Sequence, residues 1–98
     1  MNEIRKPNDK DHRQKITKPH IEKAIIMVRS QLFKRLNDKG FGTWLSRHEI
    51  LGFLTEEYIK VVEATHSKTL HGLKSELVDV AVGCIFAIAC IDAGTLDW

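Results

Sequence analysis

Five side chains in the second half of the sequence have the types and spacing to do chemistry. Glu56, Glu57 and Lys60 lie in one stretch, and Glu76 and Asp79 in another. Residues three apart on a helix project from one face, roughly 60° apart, so Glu76 would share a face with Asp79, and Glu57 with Lys60. Asp79 is the only polar side chain between Leu77 and Ile91. An unpaired charge in so apolar a run is too costly to keep without a partner, and a bound cation is the obvious one. Oxygen donors without His or Cys suit Mg²⁺ or Mn²⁺, which keep coordination positions for water and for phosphate oxygens. A carboxylate outside the ligand set could orient or deprotonate an attacking water, and Glu56 is the nearest candidate.

Three helices would have to position these groups, because no period-2 segment is long enough for a strand. The first starts at Pro19, a residue favoured in a first turn, and runs to about Asp38, with Gly40 as its stop. Its apolar stripe is Ile21, Ile25, Val28, Leu32 and Leu36, with Lys23, Lys34 and Asp38 off it. A linker, Phe41-Gly42-Thr43-Trp44-Leu45, leads to Ser46-Arg47-His48-Glu49, which has the form of a capping box, so the second helix starts near Arg47. Its expected core positions are Leu51, Leu54, Tyr58 and Val61. Glu57 falls between two faces and should be partly desolvated, whereas Glu56 and Glu63 reach water. After the polar segment His66 to Thr69, the third helix runs from about Leu70 to Ala93 and stops at Gly94. If the second and third helices are antiparallel, as their short connection favours, Glu57 can face Glu76 and Asp79.

A helix apolar all round must be covered all round, which two neighbours cannot do. The small residues Ala81, Gly83, Ala87 and Ala89 would admit another helix closely. The expected fold is therefore an all-α bundle of three main helices completed by homo-oligomerisation through the third, as a homodimer or larger assembly.

The 98 residues make one small domain, and the net charge of +2 is unevenly placed. Residues 1–20 carry six Lys/Arg against three acids, which is +3 and leaves −1 for the rest. The body is not basic, so a nucleic-acid polymer is not an expected partner, and residues 1–18 read as a solvated tail rather than a docking arm, with residues 19–98 as the helical domain. Cys84 and Cys90, six apart with no second CxxC, read as buried free thiols in a reducing compartment. The charged start is no signal peptide, and the apolar run is shorter than a membrane span, so the expected location is cytoplasmic.

The two motifs together resemble a known family. His48-Glu49-Ile50-Leu51-Gly52-Phe53-Leu54-Thr55-Glu56-Glu57, followed by Ser75-Glu76-Leu77-Val78-Asp79-Val80-Ala81-Val82, is similar to the MazG-like all-α nucleoside-triphosphate pyrophosphohydrolases, over roughly residues 20 to 93. That family's signature is Glu-x-x-Glu on one helix and Glu-x-x-Asp on the next. The resemblance implies Mg²⁺-dependent cleavage of a ribo- or deoxynucleoside triphosphate between its α and β phosphates, in a dimer or pair of dimers. It carries over Glu57, Glu76 and Asp79 as metal ligands. Where the family has its second Glu, this chain has Lys60, so a cluster of −4 becomes one of −2. Lys60 then either contacts a phosphate as a point charge or marks a homologue that binds nucleotide or a partner protein without turnover. A third reading is a surface ion pair with Glu56 or Glu63. In a helical interaction module the acids would only pair with Lys and Arg.

Trp44, with Phe41 and Phe33, could stack on a nucleobase, although aromatics beside a helix start are more often core. Lys74, Arg47 and Lys68 lie where triphosphate oxygens could sit or are ordinary solvated cations. His48 suits packing or capping, and His66 and His71 suit the surface.

Overall fold

The structure, a computed structural model, describes residues 13–67 and 69–97. It is a three-helix all-α domain: α1 spans Lys18–Lys39, α2 spans Arg47–Ser67 and α3 spans Leu70–Asp92. Among the described residues there is no strand, and no helix is long and apolar enough to cross a membrane. Most of the expected tail, residues 1–12, lies outside the described residues, as does Lys68.

Each boundary has a local cause. Pro19 sits in the first turn of α1, where its missing N–H costs nothing. Gly40 ends that helix at φ 91°, a left-handed backbone open to glycine, and its N–H donates to the Leu36 carbonyl. Half of the expected box opens α2: Glu49 N–H donates to Ser46 Oγ at 3.3 Å, while Glu49 Oε1 accepts at 3.1 Å from the N–H of Leu45, one residue before the cap. Thr69 caps α3 by accepting from Gly72 N–H at 3.2 Å. At the other end Gly94 adopts φ 72°, its N–H donates to the Ile91 carbonyl and that of Thr95 to Cys90, the two bonds of a Schellman motif. Thr95 Oγ1 also donates to the Trp44 carbonyl at 3.0 Å, and Asp97 N–H to that of Leu45. These two bonds tie the α1–α2 linker to the end of α3.

α3 is the central helix and packs against both others; α1 and α2 share no comparable contact. α2 runs antiparallel to α3, since Phe53 meets Gly83 while Glu57, one turn further on, meets Asp79, one turn back. Gly83 marks the closest approach: a Cβ built there would lie 2.0 Å from the Phe53 ring. Of the four small residues of α3, Gly83 and Ala87 are buried within the chain, whereas Ala81 is half-buried and Ala89 exposed.

Two expected faces are corrected. In α2, Leu51 and Tyr58 are 61% and 69% exposed, and the buried side is instead Glu57 and Ala64, flanked by Phe53, Leu54 and Val61. The helix is turned so that Phe53, rather than Leu51, reaches Gly83. In α1, Ile21 and Ile25 are exposed because α3 covers only part of the stripe, including Val28, Leu32 and Leu36. Among the described residues only Ala64, Val82, Ala87 and Cys90 form a fully buried apolar core, and both cysteines are free.

Candidate functional site

Glu57, Glu76 and Asp79 come together from α2 and α3, each offering a carboxylate oxygen within 4.8 Å of the other two. Three such oxygens could hold a metal ion. Glu57 is the most enclosed of them, at 6% exposure. Its Oε1 accepts from Lys60 Nζ at 3.3 Å, while its Oε2 is sealed from solvent with no hydrogen-bond partner among the described residues. A buried acceptor left unsatisfied costs roughly 1–3 kcal/mol, so this carboxylate is held against its own solvation. Glu76 Oε2 is sealed from solvent as well. The donor set, three carboxylates and so all oxygen, suits a hard cation.

Two cations border the acids. Lys60 pairs with Glu57, rather than with Glu56 or Glu63, the partners expected from spacing. The hydrogen bond from Lys60 to Glu57, then the charges of Glu57, Glu76 and Glu56, hold its ammonium above the usual lysine range, so it is charged at neutral pH. The second cation comes from α1: Arg35 Nη2 donates to Asp79 Oδ1 at 2.6 Å. Sequence reading missed Arg35, although one signal was present. Val28, Leu32, Arg35, Leu36 and Lys39 follow helical spacing, so Arg35 continues the stripe that faces α3. Three acids against these two cations leave a formal charge of −1.

Glu57 and Asp79 line an open pocket of about 520 Å³ between α1 and α2, over α3. Arg35, Lys39 and Lys60 supply its cationic wall, and Trp44, Phe53 and Phe86 its aromatic end. Trp44 packs against both phenylalanines, 5.3 Å from the Phe53 centroid and edge-on to Phe86 at 5.2 Å. Its ring is thus part of the packing that seats the linker, and it borders the pocket at the same time. Phe41 and Phe33 do not join it in one wall; both are exposed, and Phe33 lies under the Arg29 guanidinium.

The remaining sequence candidates fall elsewhere. Glu56 is exposed and does not line the pocket, since neighbouring residues on a helix point about 100° apart. Lys74 is exposed in a separate groove of α1 and α3, beside Met27, His71 and Ser75, whose lining also includes Asp79. Arg47, His48, His66 and His71 are exposed. Compared with protein-family models, with curated proteins and with solved structures, the chain gives no match.

Proposed function

We propose that the chain is an Mg²⁺-dependent nucleoside-triphosphate pyrophosphohydrolase of the MazG-like kind, converting a ribo- or deoxynucleoside triphosphate to the monophosphate and pyrophosphate. The observation that carries this reading is the convergence of Glu57, Glu76 and Asp79 beside a pocket whose wall also presents Lys60 and Arg35. Acids alone would attract any cation. Acids flanked by cations in one pocket match a metal-bound polyphosphate, whose charge needs both.

In this reading Glu57, Glu76 and Asp79 hold Mg²⁺ or, alternatively, Mn²⁺. The ion, when bound, supplies charge neutralisation at the phosphates. Lys60 and Lys39 offer point charges to phosphate oxygens, and Arg35 a planar fork. Phe53, Phe86 and Trp44 keep the aromatic end of the pocket dry enough for a base or sugar to rest there. The working protein is a cytoplasmic homodimer or homotetramer. Ile21, Ile25 and Ile26 on α1 and Ile85, Ile88 and Ile91 on α3 are all exposed, an apolar surface that a second copy would cover.

A second reading, a homologue that binds nucleotide or a partner protein without turnover, is favoured by the same two ion pairs. Lys60 and Arg35 each engage one oxygen of Glu57 and Asp79 and offset the charge that would attract a metal. The hydrolase reading and a homologue that binds nucleotide both require a metal or nucleotide to stabilise the folded chain, by an amount that grows with ligand concentration. Millimolar MgCl₂ or MnCl₂ is expected to raise the melting temperature by several degrees, and to raise it little in Glu76→Ala. A melting temperature indifferent to both metals, with and without nucleoside triphosphate, would leave only a protein-binding role for the chain.

A further inference from the structure

We propose that Arg35 is a displaceable counter-ion of the acidic cluster and, once displaced, a phosphate-binding residue of the same pocket. The identity of the phosphate ligand rests on the pyrophosphohydrolase reading; the exchange itself rests on geometry. Arg35 belongs to α1, the helix that contributes none of the acids, and its Nη2 lies 2.6 Å from Asp79 Oδ1. That oxygen belongs to one of the three carboxylates that converge within 4.8 Å. A guanidinium at this distance engages Asp79 Oδ1 and offsets the negative charge of the cluster, so its charge opposes that of any divalent ion held by the same three carboxylates. Arg35 and a metal therefore compete for Asp79.

The side chain is free to give way. Arg35 is 35% exposed, lies on the pocket wall, and comes from a helix with no comparable contact to α2. A guanidinium swung off Asp79 stays among the pocket-lining residues, beside Lys39 and Lys60. There its fork matches two oxygens of a phosphate, which a carboxylate-bound arginine can trade for at little change in hydrogen bonding. Glu57 Oε2 is sealed from solvent, whereas the Arg35 and Lys60 side chains are both partly exposed, so the cations are the members of the cluster that solvent and ligands reach.

The test is a Mn²⁺ titration of the full chain followed by electron paramagnetic resonance, with Mn²⁺ alone and with inorganic pyrophosphate. Wild type is compared with Arg35→Gln, Arg35→Lys and Glu76→Ala, each checked for a cooperative melt. Removing the competing charge in Arg35→Gln is expected to tighten Mn²⁺ alone by about tenfold and to weaken pyrophosphate on the Mn²⁺-loaded protein by about tenfold. Arg35→Lys, which keeps the charge but loses the fork, is expected to leave Mn²⁺ affinity near that of wild type and still weaken pyrophosphate. Unchanged or weaker Mn²⁺ binding in Arg35→Gln overturns the proposal. So does pyrophosphate binding that Arg35→Lys leaves intact, an arm that stands even if the Gln variant fails to fold. If wild type shows no Mn²⁺ binding that Glu76→Ala removes, the functional reading fails first. Glu76-dependent Mn²⁺ binding indifferent to Arg35 sinks the Arg35 proposal alone.

Discussion

Gly83→Val is expected to destabilise the fold by about 3 kcal/mol and to abolish metal-dependent stabilisation with it. A Cβ at this position would sit 2.0 Å from both Cε2 and Cζ of Phe53 and 2.9 Å from Cδ2, inside any permissible contact. The ring cannot simply turn away, since Trp44 packs on it at 5.3 Å and Trp44 is in turn fixed by Phe86 and by the Thr95 bond to its carbonyl. The remaining response is for α2 to move off α3, and overpacking of this kind costs roughly 1–3 kcal/mol, with branched side chains at the upper end. The functional loss follows from the register. Phe53 is one turn from Glu57 on α2, and Gly83 one turn from Asp79 on α3, so a displacement at the first pair opens the other. Urea titration with and without MnCl₂ reads both effects. A valine variant within about 0.5 kcal/mol of wild type would show that the helices do not meet as described.

The other large effect concerns Lys60. Replacing it with glutamate supplies the acid that the resemblance leads one to expect, and turns the formal charge around the site from −1 to −3. Two unit charges changed within a few ångströms of a divalent ion, at a partly solvated position, are expected to tighten Mn²⁺ binding by tens-fold at low salt, and less at high salt. Losing the lysine costs the ion pair little, because Lys60 is 54% exposed and its contact with Glu57 is long at 3.3 Å. Isothermal titration of Mn²⁺ at two ionic strengths measures the change. Equal affinity in the two proteins would mean that the ion, if it binds, binds away from Glu57.

Much of this arrangement is legible in the amino-acid sequence. Helix limits follow from local chemistry: Pro19, Gly40, the Ser46–Glu49 box and Gly94 each act on their own backbone, so sequence alone places them to within a residue or two. The meeting of Glu57 with Glu76 and Asp79 is legible because two helical spacings and a short connection leave few other arrangements. What sequence does not give is the rotation of α2. The stripe Leu51, Leu54, Tyr58 and Val61 is wholly apolar or aromatic, whereas the stripe Phe53, Glu57, Val61 and Ala64 contains a glutamate, so hydropathy alone favours burying the wrong one. The choice falls to a contact thirty residues away, where only the absent side chain of Gly83 admits Phe53. Arg35 is hidden for a related reason. Its partner is 44 residues distant on another helix, and a cation on an apolar stripe reads as an interruption until α3 is in place.

The measurement closest to the central claim is pyrophosphate release from a panel of ribo- and deoxynucleoside triphosphates with Mg²⁺ or Mn²⁺, for the natural chain, Glu76→Ala and Lys60→Glu. Release by the natural chain is expected, dependent on metal and lost in Glu76→Ala, which would establish that three acids with two flanking cations suffice for turnover. Release only by Lys60→Glu would assign the natural chain to nucleotide binding without hydrolysis. No release from any of the three proteins, with no nucleotide bound, would contradict the nucleotide reading and leave the acidic cluster a structural one, with Glu57 paired to Lys60 and Asp79 to Arg35.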